Sequence, residues 1–185
     1  MYGMVNRGIE QMVVLHHGVE VWERIKREAG VDVEMFISNE AYADEMTFQL
    51  VAAASSVLGA PQDALLRAFG EHWVLRTAEE GYGGLMSAGG SSLPEFLLNL
   101  PNFHTRVVMV FPNLQPPRFA CTDVGPNSLH LHYRTHRAGL THFVVGLIQG
   151  LGKRFGTEAT ATVLESKAEG ADHDLFLVEW KSPVA

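Results

Sequence analysis

Cysteine is nearly absent from this sequence: Cys121 is the only one among 185 residues. A single cysteine excludes an intrachain disulfide and any metal site built from four cysteines. Long apolar runs are also missing, and Arg7 and Glu10 interrupt the first apolar segment before it could serve as a signal peptide. We therefore expect a cytoplasmic protein that does not insert into a membrane.

Basic runs and common catalytic motifs are missing as well. The formal net charge is −7 and no long stretch of lysine and arginine occurs, which argues against nucleic acid as a partner. The sequence contains no glycine-rich phosphate loop, nucleophile elbow or paired-carboxylate motif, and this weakens the case for an enzyme. The hydrophobic fraction of 46% and the length predict one globular domain, residues 1–185.

Apolar periodicity divides the chain into a helical part and a mixed part. Spacings of three and four residues predict helices over residues 3–17, 19–29, 42–58, 61–77 and 82–87, and a longer helix over 93–111 that Pro101 kinks. Period-two alternation then predicts a hairpin turning at residues 125–127 and strands over 157–166 and 174–180. Between the hairpin and these strands, apolar residues at helical spacing predict a helix over 138–155. This order predicts an α+β fold: an N-terminal helical lobe, about 1–60, followed by a lobe, about 61–185, with a four-stranded antiparallel sheet and helices.

The stretch from Ser128 to Leu140 alternates two kinds of side chain. On an extended strand, Tyr133, Thr135 and Arg137 would share one face with two leucines. A phenol, a hydroxyl and a guanidinium on one face are suited to bind the carboxylates of an otherwise apolar ligand, and haem is such a ligand. The alternative is an ordinary amphipathic strand whose end is capped by Arg137.

His104 lies beside the apolar stripe of the 93–111 helix, one turn from Leu100 and Val108. A histidine in that position is ordinarily a core residue bonded to a backbone carbonyl. Together with the three polar residues of the strand, an apolar helical wall and Trp73, it is a candidate proximal ligand of haem iron.

Other histidines suggest a second class of function. His130 and His132 share the opposite face of the same strand and could bind zinc if further ligands were supplied. This alternative is a zinc-dependent enzyme, and a third is a purely structural interaction domain without any cofactor.

Eight segments spread along nearly the whole chain match one known family. They are Met1-Tyr2-Gly3, LVAAASSVLG at 50–59, FGEHW at 69–73, EEGYG at 79–83, LPEFLLNLPNFH at 93–104, FPNLQPPRFACTD from 111, LHYRTHRAGL from 131, and GLGKRF at 150–155. With these segments the chain resembles the haem nitric oxide/oxygen binding (H-NOX) family, whose animal relative is the haem domain of soluble guanylate cyclase.

The resemblance implies roles for particular residues. It implies haem b buried between the two lobes, with His104 as the axial iron ligand and with Tyr133, Thr135 and Arg137 as the propionate motif, in which Thr135 replaces the usual serine. The resemblance also places a proline that presses on the porphyrin at Pro117. Further cofactor-binding positions that it implies are Met4, Val5, Trp73, Leu100, Val108, Phe143 and Leu147.

The resemblance also implies a function. Phe143 falls where oxygen-binding relatives have a tyrosine that donates to bound oxygen, so Trp73 is the one possible donor in a distal pocket that is otherwise apolar. We expect a non-catalytic haem-based gas sensor that binds nitric oxide and carbon monoxide and excludes oxygen. The family's partners imply that it signals to a separate histidine kinase or cyclic-di-GMP enzyme. The alternative within the family is an oxygen sensor, and the alternative for Trp73 is plain core packing.

Overall fold

The computed structural model describes residues 1–112 and 114–181, and the chain forms two compact units, Met1–Phe69 and the residues from Gly70 onward. The elements are α1 (Gly3–His17), α2 (Val19–Glu28), α3 (Asp44–Leu58), α4 (Gln62–His72), a π-helical segment (Trp73–Ala78), α5 (Glu79–Ser87), α6 (Leu93–Leu98), α7 (Leu100–Val110), β1 (Arg118–Thr122), β2 (Ser128–Arg134), α8 (Thr141–Arg154), β3 (Ala159–Glu165), a 3₁₀ turn (Lys167–Glu169) and β4 (Asp174–Trp180). The predicted α+β class is confirmed, with helices first and the sheet after them.

The first unit is helical. Its core contains Ile9, Trp22 and Leu50, one from each of its first three helices. Gly18 separates α1 from α2 at a φ of 87°, in the left-handed region that glycine adopts without strain. Both helix boundaries at this junction agree closely with the sequence prediction.

The second unit contains the sheet, whose strands lie in the order β1-β2-β4-β3 and pair antiparallel throughout. Alternation places Leu129, Leu131 and Tyr133 in the core, while their neighbours on β2 are more exposed. α8 packs against this sheet through buried residues that include Val144 and Ile148. No helix in the described ranges has the length and apolar character needed to cross a membrane.

Where one kinked helix was predicted over 93–111, the structure has two helices that meet at Asn99. The Asn99 amide donates to the Glu95 carbonyl of α6, and the Asn99 carbonyl accepts from the Phe103 amide of α7. Pro101 therefore lies in the first turn of α7, where its missing N–H costs no hydrogen bond. The predicted interruption is therefore present, but it is a break between two helices at Asn99 and not a kink within one helix.

The helix predicted over 61–77 also differs from the structure. The α-helix ends at His72, and a π-helical segment, Trp73–Ala78, continues into α5. π-Helical turns are rare and often occur at functional sites. Hydrophobic periodicity cannot reveal such a segment, because its apolar residues are still spaced by three or four.

The alternation that would place Tyr133, Thr135 and Arg137 on one face of an extended strand holds only as far as Arg134, where β2 ends. The Thr135 hydroxyl oxygen accepts a hydrogen bond from the Arg137 amide at 3.1 Å, a side-chain turn that replaces strand pairing. Gly139 follows with a φ of 77°. Tyr133 thus lies on the strand, while Thr135 and Arg137 lie on the turn that follows it.

The end of α4, which belongs to the second unit, approaches α8 closely at a glycine. A Cβ atom added at Gly70 of α4 would lie 2.2 Å from the Phe143 carbonyl oxygen and 2.7 Å from the Leu147 amide nitrogen of α8. Backbone atoms cannot move aside as a flexible side chain can. Only glycine therefore permits this approach.

We predict opposite effects for two glycine-to-alanine substitutions in helices. Gly70→Ala should lower the free energy of unfolding by about 1–3 kcal/mol or more, because its methyl group would meet backbone. Gly84→Ala, where nothing lies within 4 Å of the added Cβ, should raise it by about 0.5–1 kcal/mol. Denaturant unfolding of both variants measures the difference, and equal stabilities would contradict the close approach.

Candidate functional site

His104 lies on α7 with its imidazole in a defined state. Its Nδ1 lies 2.9 Å from the Leu100 carbonyl oxygen, one turn earlier. A carbonyl oxygen can only accept, so Nδ1 carries the hydrogen. Burial lowers the pKa of His104, and the Leu100 hydrogen bond only partly offsets this, so the ring is neutral near pH 7. The lone pair of the neutral ring is therefore on Nε2, which is the state that a metal ligand requires.

Aromatic rings surround this imidazole on two sides. The Phe103 ring meets it edge-on at a centroid distance of 5.5 Å, and the Phe119 ring lies at 5.2 Å with an interplanar angle of 33°. Phe119 also lies 5.2 Å from the Tyr133 ring, and these two residues are directly paired between β1 and β2. The structure thus brings His104 and Tyr133 into contact with the same phenylalanine.

The polar residues predicted to bind carboxylates lie together at the end of β2. The Tyr133 hydroxyl is hydrogen-bonded to the side chain of Thr135, and burial raises the pKa of Tyr133 to about 12. Arg137 donates from its guanidinium to the Gln115 carbonyl oxygen at 3.1 Å. Side-chain hydrogen bonding therefore connects Tyr133 to Thr135, and the backbone amide of Arg137 connects it to Thr135 around one turn, although an extended strand does not align the three residues.

Two residues that the sequence did not single out hold this turn. Lys167 donates from Nζ to the Thr135 carbonyl oxygen at 2.8 Å. The buried carboxylate of Asp174 accepts from the Lys167 amide and from the Thr141 hydroxyl, both at 2.7 Å. Because Asp174 pairs with Tyr133 across the sheet, it links the turn to β4 and to the start of α8. Sequence motifs around the turn could not reveal Lys167 and Asp174, because both residues lie far from it along the chain.

Pro117 lies on the connection that leads into β1 and is partly buried. Gln115, two residues before it, accepts from Arg137, and Phe119, two residues after it, contacts His104. The proline therefore lies between a segment that contacts the Arg137 turn and a residue that contacts the imidazole.

The remaining predicted residues fall into both units. Trp73 begins the π-helical segment, and with Leu147 it packs, partly buried, against the core of the second unit. Phe143 and Val108 are partly buried on α8 and α7. Met4 and Val5 belong to α1 of the first unit, where Met4 is buried and Val5 is partly exposed.

The two histidines considered for zinc have separate partners. His130 contacts Asp123 at 2.8 Å, whereas His132 is hydrogen-bonded through Nδ1 to His173 at 2.8 Å and through Nε2 to Thr122 at 3.0 Å. In the part of the chain that the structure describes, no group of three or more histidine, cysteine, aspartate or glutamate side chains is arranged to hold a metal ion. The zinc hypothesis therefore lacks its ligand set.

The donor set fits haem. His104 offers one imidazole nitrogen with a free lone pair, and the residues around the β2 end offer a phenol, a hydroxyl and a guanidinium to acidic groups. Apolar and aromatic surface lies between them at Phe119.

Comparison with known proteins agrees with this chemistry. Residues 2–163 match the family model for haem-NO-binding (HNOB) domains. The chain belongs to this family. It is a haem-binding gas-sensor domain of the H-NOX type, and its cofactor is haem b.

Curated relatives and solved structures extend the comparison. The chain is 29% identical over 178 residues to soluble guanylate cyclase gcy-31 and 30% identical over 190 residues to soluble guanylate cyclase gcy-35, both from Caenorhabditis elegans. Each alignment includes 96% of this chain. It spans about a quarter of the length of these cyclases, 25% and 27%.

Two solved structures show the same fold. An H-NOX protein from S. oneidensis in the Fe(II)NO ligation state has a TM-score of 0.89 and 20% identity, over 98% of this chain and 100% of that one. The Fe(II) unliganded H-NOX protein from K. algicida has a TM-score of 0.86 and 24% identity, over 100% and 99% of the two chains.

Cys121 lies next to the candidate site, two residues beyond Phe119. It is partly buried, its thiol donates to the Leu97 carbonyl oxygen at 3.6 Å, and burial raises its pKa. A thiol in this state is a weak nucleophile, because the thiolate is the reactive form.

We therefore predict that iodoacetamide modifies Cys121 several-fold more slowly in the folded protein at pH 8 than in guanidinium. As the chain has one cysteine, mass spectrometry reports on this thiol alone. Equal rates in both conditions would show that the thiol is neither protected nor shifted in pKa.

Proposed function

We propose that this domain senses nitric oxide through ferrous haem held by His104, and that it does not form a stable complex with oxygen. The observation that carries the proposal is the fixed tautomer of His104, which leaves the Nε2 lone pair free for iron. Ferrous haem supplies the iron that binds nitric oxide and carbon monoxide.

The side chains around the β2 end would bind the propionates. Arg137 is a permanent cation that can make charge-assisted hydrogen bonds, and Tyr133 stays protonated at any physiological pH because burial raises its pKa to about 12. The Thr135 hydroxyl oxygen accepts a hydrogen bond from the Arg137 amide, so the turn fixes the spacing of the two side chains. Leu100, Val108 and Pro117 would supply apolar contacts on the His104 side.

The distal side would decide between ligands. Bound oxygen is stabilised by a hydrogen-bond donor, whereas nitric oxide and carbon monoxide are held mainly by the iron. On the family resemblance we assign the distal role to Val5, Trp73, Phe143 and Leu147. Among these four residues only Trp73 has a side-chain donor. An oxygen sensor is the alternative function, and it would require the Trp73 indole to donate to the ligand.

The signal would pass to a partner protein. In the cyclases named above, the matched segment is about a quarter of the chain, so the same kind of domain occurs there within a much longer protein. For this chain we propose a histidine kinase or a cyclic-di-GMP enzyme in the cytoplasm, on the family resemblance.

The axial ligand provides the direct test. His104→Gly should lose the five-coordinate ferrous absorption spectrum, and exogenous imidazole should restore it by replacing the missing side chain. The exposed His17, the last residue of α1, serves as the matched control, since His17→Gly should keep the parent spectrum. A parent-like spectrum in His104→Gly without imidazole would refute the assignment.

Propionate binding should depend more on charge than on the neutral hydroxyl. Charge-assisted hydrogen bonds contribute roughly 1.5–3 kcal/mol and neutral ones about 1 kcal/mol, so Arg137→Ala should release haem faster than Thr135→Ala. Haem transfer to apomyoglobin measures both rates, with Arg134→Ala at the exposed end of β2 as the control. Equal transfer rates for the Arg137 and Thr135 variants would contradict the ordering.

Ligand choice is tested in air. The reduced protein should bind nitric oxide and carbon monoxide but show no persistent oxygenated spectrum, whereas Phe143→Tyr should gain one by adding a phenol donor. A persistent oxygenated spectrum of the parent protein would refute our proposal in favour of the oxygen-sensor alternative. In that case, loss of the oxygenated spectrum in Trp73→Phe would identify the indole as the donor to bound oxygen.

A further inference from the structure

Phe119 contacts both His104 and the tyrosine near the end of β2. Its ring lies 5.2 Å from the His104 imidazole and 5.2 Å from the Tyr133 phenol, with interplanar angles of 33° and 39°. It is partly buried and packs against the core of the second unit, while its chain neighbours Arg118 and Ala120 are exposed. Phe119 therefore presents its ring to both site residues from a single position on β1.

The hairpin fixes that position. Phe119 and Tyr133 are directly paired between antiparallel strands, and four further pairs extend the register on both sides, from Arg118 to Thr122. Directly paired aromatic residues on one sheet face stabilise each other. A shift of Phe119 relative to Tyr133 would thus require the whole β1–β2 register to change.

The imidazole of His104 needs such a neighbour because one hydrogen bond does not determine its orientation. The Nδ1 contact to the Leu100 carbonyl holds one ring atom, but rotation about the bond between Cβ and the ring is broad in the absence of packing. Phe103 meets the ring edge-on and Phe119 lies against it at a shallow angle, so together they limit this rotation. Of these two residues, only Phe119 lies on the sheet, since Phe103 belongs to the same helix as His104.

We propose that Phe119 is a positioning residue that sets the orientation of the His104 imidazole and couples it to the Tyr133 end of the site. The proposal rests on the proposed function, in which His104 binds iron. Phe119 acts through His104, so its effect should appear in the bond between the His104 imidazole and the haem iron.

Resonance Raman spectroscopy of the ferrous, haem-loaded protein measures that effect. Phe119→Leu keeps an apolar side chain but removes the flat ring, so the iron–His104 stretching band should shift and broaden as the imidazole samples more orientations. Phe119→Tyr retains the ring and should restore the parent band.

A matched control separates orientation from general loss of packing. Phe155 is also partly buried, and its ring packs against Phe96, 5.8 Å between centroids, and under the Arg154 guanidinium. Phe155→Leu should lower thermal stability about as much as Phe119→Leu and leave the band unchanged. Phe119→Ile, whose β-branched side chain suits a strand, repeats the test if the leucine variant does not fold.

The outcomes distinguish this inference from the function on which it rests. A parent protein without an iron–histidine band would refute the role of His104. A parent band that is identical in Phe119→Leu or Phe119→Ile would refute the positioning role alone, and so would an equal shift in Phe155→Leu.

Discussion

The hydrogen bond from His104 Nδ1 to the Leu100 carbonyl determines which nitrogen of the ring can bind a metal, and it depends on where α7 begins. Leu100 is the first residue of α7, and Pro101 follows it without an amide hydrogen. A helix that begins there places the first carbonyl one turn before His104. Had the helix run through unbroken from Leu93, the proline ring would have clashed with the preceding turn.

The second half of the site depends on the end of a strand. β2 stops at Arg134, so Tyr133 is held by its pairing with β1 and β4, while Thr135 and Arg137 are held by a turn. Lys167 and Asp174 connect that turn to the far side of the sheet. Phe119 then joins the strand end to α7.

Much of this arrangement could be predicted from the sequence. The bounds of β4 and α1 matched the prediction because alternation and periodicity are clear there, with glycine or a polar loop at the ends. An interruption of the 93–111 helix was predicted from Pro101, but its position at Asn99 was not. The turn after β2 was missed because it depends on the hydrogen bond from the Arg137 amide to the Thr135 hydroxyl oxygen, which leaves apolar spacing unchanged. The Phe119–Tyr133 pair could have been found, since both residues lie seven positions from Pro126, near the centre of the predicted hairpin turn.

The π-helical segment Trp73–Ala78 has a consequence for comparing this chain with its relatives. A π-helical hydrogen bond spans five residues where an α-helical bond spans four, so the segment contains one residue more than a regular helix of the same hydrogen-bonded length. A relative with an uninterrupted α-helix here would align correctly only with a one-residue gap inside the segment. An ungapped alignment that follows α4 would keep Trp73 in place but displace α5 by one position, so that each α5 residue would be compared with one about 100° away around the helix axis.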